Sequence, residues 1–276
     1  MNNDTVYLYG DGVGRVQYVE HMGSDKKIVN SARVSFGKDN DLPLDDRDKK
    51  LIRYLIKHKH TSTLEHNFIT FKFVVPLFIR SQHHRHRTWS YNEISRRYTE
   101  EKITFYEPKA FRTQHKSNRQ ASNTDELVDP WITEPDQWHA GETAHSAILE
   151  HHDLSLSLYN KLLEKGVCRE QARGVLPQNM YTEYYGTVNL NNLLKFVELR
   201  THDGAQWEIQ QVANACLRIA EELFPETIAA YKELRDSTLT EEEKRELEII
   251  LNDRNMTGEK RFNFPLAISI LKKLSK

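Results

Sequence analysis

The sequence predicts an α+β protein: a mixed or antiparallel sheet flanked by helices, with a polar insertion at about residues 100–141 and a helical C-terminal extension. Three observations carry this. Period-two alternation of apolar and polar residues occurs in a few short, well-separated segments, at 5–9, 14–19, 68–74 and 181–188. Apolar residues at spacings of three and four fill much of the rest, as in helices with one buried face. No internal repeat and no Gly/Ser linker divides the chain, so a single domain over 1–236 with an extension over 237–276 is the simplest partition.

In order, 5–9 and 14–19 flank Gly10-Asp11-Gly12 and read as a hairpin or two edge strands. Residues 28–36 follow, where Ser35 reads as a helix-end hydroxyl. Asp45, Asp46 and Asp48 precede Leu51, Ile52, Leu55 and Ile56, one helix face, and Lys57, His58, Lys59 and His60 complement the dipole at its far end. The run His60-Thr-Ser-Thr-Leu-Glu-His66 is a polar turn into the strand at 68–74, and its Ser62 and Glu65 suit capping. Pro76 suits the first turn of a short helix continued by Leu77, Phe78 and Ile79.

From 99 to 141 the chain turns polar and turn-rich, either a functional flap or a partly disordered segment. Helical spacing returns at 143–165 (Ile148, Leu154, Leu158, Leu162) and stops at Gly166, a left-handed C-cap. Arg169-Glu-Gln-Ala-Arg173 is a short helix stopped by Pro177, and 181–188 a second buried strand that Gly186 weakens. Asn189 caps a helix ending near Arg200. Asp203 with Gln206 forms a capping-box pattern for the next, whose inward face is Ile209, Val212, Cys216, Ile219, Ala220 and Leu223. Pro225 starts another helix, Thr240-Glu-Glu-Glu243 caps a charged one, and 264–271 gives a final amphipathic turn or two.

Composition excludes several classes. No apolar run approaches the roughly 20 residues of a membrane span, and the N-terminus lacks a signal pattern, so a soluble cytoplasmic protein is expected. Two cysteines, Cys168 and Cys216, make neither a disulfide framework nor a zinc site. A net charge of −1 argues against general nucleic-acid binding. No His-Glu-x-x-His or Cys-x-x-Cys spacing supports a metallohydrolase, so no metal is expected.

Against that neutral background stands the stretch from Gln82 to Tyr98. It holds Arg85, Arg87, Arg96 and Arg97, three histidines and Glu93, interleaved with Trp89, Ser90, Tyr91, Asn92, Ser95 and Tyr98. A cationic run is ordinarily a solvated loop. Here every cation is arginine, whose rigid fork of donors matches phosphate oxygens, and hydroxyls and rings lie between them. The pattern suggests a site for a phosphorylated, ring-bearing ligand. Arginines among aromatics also suit single-stranded nucleic acid, a rival reading that near-neutral charge disfavours.

Arg85-His86-Arg87, then seven residues, then Ser95, with Asn92-Glu93 and Arg97-Tyr98 in place, resembles the signature of the flavin-dependent thymidylate synthases. The likeness runs from about residue 30 to about 224 and includes Ala32-Arg-Val-Ser-Phe36, His60-Thr-Ser-Thr-Leu-Glu-His66, Arg169-Glu-Gln-Ala-Arg173 and Ala205-Gln-Trp-Glu-Ile-Gln210. It implies reductive methylation of deoxyuridine monophosphate (dUMP), with FAD as cofactor and NADPH and 5,10-methylenetetrahydrofolate as co-substrates. It also implies a homotetramer with sites shared between subunits, and no membrane or nucleic-acid partner. For dUMP the resemblance implies Gln82, Arg85, Glu93, Ser95, Arg96, Arg97, Arg173 and Arg200. For FAD it implies His60, Ser62, Glu65, Arg85, His86, Arg87, Glu93, Asn189, Asn191 and Lys195. Arg200 would polarise the pyrimidine ring in place of a cysteine nucleophile, a role for which nothing marks Cys168 or Cys216. His86, flanked by arginines, is expected to be a neutral donor. The chain departs from the family at Arg96, where a small residue is usual, at Asn191 and Lys195, and at Gly204, where the family has a histidine and this chain has His202 earlier.

Overall fold

The computed structural model describes residues 5–99, 103–119, 121–237 and Ile270. β1 (Thr5–Tyr7) and β2 (Arg15–Met22) form the expected hairpin; α1 (Asp25–Arg33), α2 (Asp46–Lys57), β3 (Phe68–Pro76), α3 (Leu77–His83) and β4 (Trp89–Glu93) follow. The insertion carries β5 (Phe111–Gln114), β6 (Ser122–Val128), β7 (Trp131–Thr133) and β8 (Glu142–Thr143). Then come α4 (Ala144–Glu164), α5 (Arg169–Ala172), β9 (Tyr181–Asn189), α6 (Leu190–Arg200), α7 (Trp207–Leu223) and α8 (Pro225–Ser237). The described residues fall into two compact units. One comprises residues up to Gly23 with Leu64–Glu222; the other comprises Ser24–Thr63 with Leu223 onward. The charged helix expected at 240 and the turn at 264–271 lie outside the described residues, Ile270 excepted.

The first unit is built on a five-stranded sheet in the order β1-β2-β3-β9-β4, antiparallel at every pairing. Of the two arrangements expected, it is the antiparallel one. Every residue of β3 pairs with one of β9, from Phe68 opposite Asn189 to Pro76 opposite Tyr181. Ile69, Phe71, Phe73 and Val75 are buried on one face of β3, and Lys72 reaches Glu183 at 2.8 Å on the other. The Phe73 ring stacks on Tyr184 with centroids 5.0 Å apart and meets His83 at 4.8 Å. Trp89 and Phe196 close round that histidine at 4.5 and 4.7 Å.

Gly186 does not weaken β9 but makes this aromatic layer possible. A Cβ there would lie 2.8 Å from Phe73 Cε2 and 3.4 Å from Trp89 Cε3, so only a residue without a side chain admits both rings.

Asn189 ends β9 and starts α6 directly, its Oδ1 accepting the Asn192 N–H at 2.9 Å. The capping box expected from Asp203 and Gln206 does not form. α7 begins at Trp207, and the Gln206 side chain is spent instead on Gln82 and Glu208. The inward face of α7 is as expected: Ile209, Val212, Cys216, Ile219 and Ala220 are buried, and burial pushes the Cys216 thiol pKa far up. Thr143 and Ser146 form a capping box on α4, whose Tyr159 packs against Ala172, Leu176 and Met180. Gly166 takes the left-handed conformation (φ 82°) that ends it.

In the insertion β5 and β6 pair antiparallel. Most of β6 is exposed on both sides, so no face needs apolar residues, and alternation is absent from a strand held by backbone pairing and polar side-chain bonds to β5.

The second unit is helical. Asp45 caps α2, accepting the Asp48 N–H at 2.8 Å. The Asp48 carboxylate, 1% exposed, is neutralised by Lys26 at 3.1 Å and by Arg33. Asp25 of α1 caps α8, accepting from the Glu226 and Thr227 N–H groups at 2.9 and 3.0 Å.

Candidate active site

α3 ends inside the aromatic layer, which fixes three histidines in sequence. His83 is fully buried with Nδ1 2.8 Å from the Tyr184 hydroxyl, and burial holds its pKa well below the usual value. His84 lies over Tyr91 at 4.1 Å, its pKa also lowered by burial. His86 is the one that meets Arg200. Its Nε2 sits 2.9 Å from Nε of Arg200, at the C-terminal end of α6. An arginine Nε–H only donates, so His86 Nε2 must accept and its proton must sit on Nδ1. The ring is therefore neutral, as the sequence suggests, but it accepts at Nε2. Burial first, then the Arg200 charge, brings its pKa to about 4; the flanking Arg85 and Arg87 are not the cause.

A pH test follows. The folded-state pKa of His86 lies below the ordinary 6.5, so its contribution to stability is complete above that value and is lost as pH falls toward about 4. NMR of ring-labelled histidine should find the His86 signal neutral and bonded to Arg200 at pH 6. A ring titrating near 6.5 would sink this assignment.

Burial also lowers the Arg200 pKa, yet a guanidinium remains charged at any physiological pH. Its Nε is committed to His86. Among the described residues no carboxylate pairs with its terminal nitrogens, which remain as donors.

A second group forms around α5. Arg97 lies 3.6 Å from Glu170 of α5, the helix whose C-cap three residues later is Arg173. Ser95 Oγ accepts the Arg97 N–H at 3.3 Å, which leaves its own hydrogen to donate. Arg96 is 7% exposed; burial lowers its pKa, with the Tyr159 hydroxyl opposing, so its side chain turns into the protein. Among the described residues no hydrogen bond or ion pair joins Arg97 or Ser95 to Arg200 or His86. Glu93, assigned to both ligands by sequence, is anchored at Oε1 by Thr182 at 2.6 Å and Arg80 at 3.3 Å.

The residues assigned to FAD fit an anionic dinucleotide by the chemistry of their donors. Arg85 and Arg87 are exposed and outside every ion pair of the described residues. They stand on a loop turned by Thr88 at φ 65°, a conformation a β-branched residue takes only when its surroundings impose it. Asn191 Nδ2 donates to Glu65 at 2.9 Å, Asn189 keeps its Nδ2 beyond the cap, and Lys195 is exposed. His60 and Ser62 belong to the second unit and are exposed, the His60 ring 5.7 Å from Tyr54. At the departure near Gly204, His202 Nδ1 accepts the Gly204 N–H at 3.0 Å and so fixes this turn.

Sequence reading missed a third group. Gln82 Nε2 bonds Gln206 Oε1, and Gln206 Nε2 donates to Glu208 at 3.0 Å. Glu208 in turn accepts from Arg112 of β5 and Tyr106. Tyr9, Tyr106, Arg112 and Trp207 line a cavity of about 390 Å³ together with Asp11, Lys109 and Leu127. The signal was the run Ala205-Gln-Trp-Glu, read as a helix start; nothing marked Arg112 in its polar surroundings.

An antiparallel sheet presents a half-buried arginine against a neutral histidine, an arginine beside a hydroxyl, and two exposed arginines on an imposed turn. Together these define a receptor for anionic, ring-bearing ligands that keeps a cation in a poorly hydrated place. Residues 17–226 match the family described as thymidylate synthase complementing protein. The chain is 44% identical over 222 residues to a flavin-dependent thymidylate synthase of Thermus thermophilus, covering 80% of this chain and 76% of that one. A flavin-dependent thymidylate synthase of Thermosipho melanesiensis is 40% identical over 219 residues, or 79% and 90% of the two chains. Among solved structures, the UMP/dUMP methylase PolB from Streptomyces cacaoi, bound with 5-Br dUMP, is 32% identical with a TM-score of 0.67, covering 83% of this chain and 97% of that one. The chain belongs to the flavin-dependent thymidylate synthase family, for which FAD is the implied cofactor. The reading as a single-stranded nucleic-acid binder has no support in these similarities. No helix of the described residues is long and apolar enough to cross a membrane.

Proposed function

We propose that the chain converts dUMP to thymidylate using 5,10-methylenetetrahydrofolate and NADPH, without attack by a protein thiol. The methylene carbon joins carbon 5 of the uracil and becomes the methyl group; NADPH and a proton supply the reduction, and tetrahydrofolate is released. FAD, when bound, carries the reducing equivalents between NADPH and the pyrimidine.

The observation that carries this reading is the 2.9 Å bond from Arg200 Nε to neutral His86. It fixes the guanidinium plane, so the terminal nitrogens hold negative charge developing on the uracil carbonyl and N3 with little reorganisation. Arg97, Arg173 and Ser95 grip the phosphate, with Arg96 offering its main-chain N–H, and Gln82, Arg85 and Glu93 complete the dUMP contacts. His60, Ser62, Glu65, Arg85, His86, Arg87, Glu93, Asn189, Asn191 and Lys195 hold FAD. Cys216 is excluded as nucleophile by burial and its raised pKa. The enzyme acts as a homotetramer whose sites are shared between subunits, as the family likeness implies. Residues 1–236 form the catalytic part and 237–276 an extension, in a cytoplasmic enzyme.

Purified protein should be yellow with a flavin spectrum, bleach with NADPH, and form thymidylate from dUMP when the folate is added. A colourless protein that takes up no FAD and forms no thymidylate would overturn the proposal.

A further inference from the structure

We propose that Arg112, in the polar insertion, is a positioning residue that sets Gln82 through Glu208 and Gln206; this rests on the assignment of Gln82 to dUMP above. Arg112 is held from three directions. Its Nε donates to Ser122 Oγ at 2.9 Å across the β5–β6 pair, its guanidinium lies 5.2 Å from the Trp207 ring centre, and its Nη2 reaches both oxygens of Glu208 at 2.7 and 2.9 Å. Glu208 is 4% exposed, so its charge depends on that partner and on the Tyr106 hydroxyl at 3.2 Å.

The consequence is directional. An ionised carboxylate only accepts, so Gln206 must turn Nε2 toward it, as observed at 3.0 Å, and Oε1 away. That Oε1 accepts from Gln82 Nε2, which leaves Gln82 with Oε1 and one N–H for a ligand. The sense of two amides, each symmetrical in shape, is thereby dictated by one charge on another segment. Without Arg112 the buried carboxylate loses its two charge-assisted donor contacts and no longer holds one position against Gln206, and both amides become free to invert. The insertion thus takes part in recognition without touching the ligand.

The test uses the full chain with FAD. Arg112→Met should raise KM for dUMP about tenfold, the loss of one charge-assisted contact, with kcat changed by less than about threefold and flavin content unchanged. Arg112→Lys should recover much of the KM. Gln82→Ala should show a comparable rise, and the double variant should be no worse than Gln82→Ala alone. Effects that multiply in the double variant would overturn the proposed coupling while leaving Gln82 a substrate residue. Unchanged dUMP affinity in Gln82→Ala would remove the reading on which it stands, and the coupling with it. If Arg112→Met does not fold, Arg112→Lys supports the same comparison with an intermediate rise.

Discussion

Arg200→Ala should keep its flavin colour and lose thymidylate formation by about a hundredfold to a thousandfold, the range for removing one fixed donor from a developing anion. The size follows from the setting. Arg200 is half-buried, its pKa lowered by burial, and its Nε is already bonded, so no other group need move when charge appears on the pyrimidine. The substitution removes the side chain beyond Cβ at the last residue of α6 and leaves the helix backbone in place. The loss should fall on kcat more than on KM for dUMP, because the residues proposed for the phosphate, Arg97, Arg173 and Ser95, are left intact. Absorbance and single-turnover reduction by NADPH check the flavin, and thymidylate formation checks the rest. Undiminished synthesis in this variant would remove Arg200 from the chemistry.

Phe73→Ala is expected to cost about 3–5 kcal/mol of stability, the range for deleting a fully buried ring. Phe73 is 0% exposed on a central strand, stacked on Tyr184 and in contact with His83 and Trp89. Gly186, against which the Phe73 ring packs, has no side chain to move into the space, so collapse is limited and the upper half of the range is expected. Denaturant unfolding would measure it, and a loss below about 1 kcal/mol would show that the layer repacks freely. Because His83 precedes the loop bearing His86, activity should fall further than the folded fraction alone explains.

Much of this was legible in the residues. β3, α6 and α7 follow from spacing because each buries one face, whereas in α4 the helix is found but Leu154 and Leu158, named for its face, are exposed and His152, Ser155 and Tyr159 are buried instead; Asn189, Thr143 and Gly166 act as terminators for reasons local to the backbone. The Arg-His-Arg run named the family before any contact was visible. What stayed hidden depends on long-range pairing. β4 lies in a run that reads as a polar, charged loop because only Trp89 of its five residues is buried. β6 has no buried face to impose a pattern. Asp203 and Gln206 match a cap by spacing, yet Gln206 finds stronger partners 124 residues away, at Gln82, and beside it, at Glu208. His86 looked flanked by like charge in sequence, whereas its decisive neighbour lies 114 positions later. Local rules cannot rank a nearby partner against a distant one.

The junction of β9 and α6 has no loop in it: Asn189 is both the last strand residue and the helix cap. The eleven residues from Leu190 to Arg200 therefore act as a stiff lever about 16 Å long, pivoted where the sheet ends. A tilt of only about 4° at the pivot swings the far end through about 1 Å, a displacement able to slow a reaction a hundredfold. Sequence drift in β9 or beneath Asn189 is thus magnified at the guanidinium, and catalytic rate in this protein should be a sensitive gauge of small shifts in its sheet.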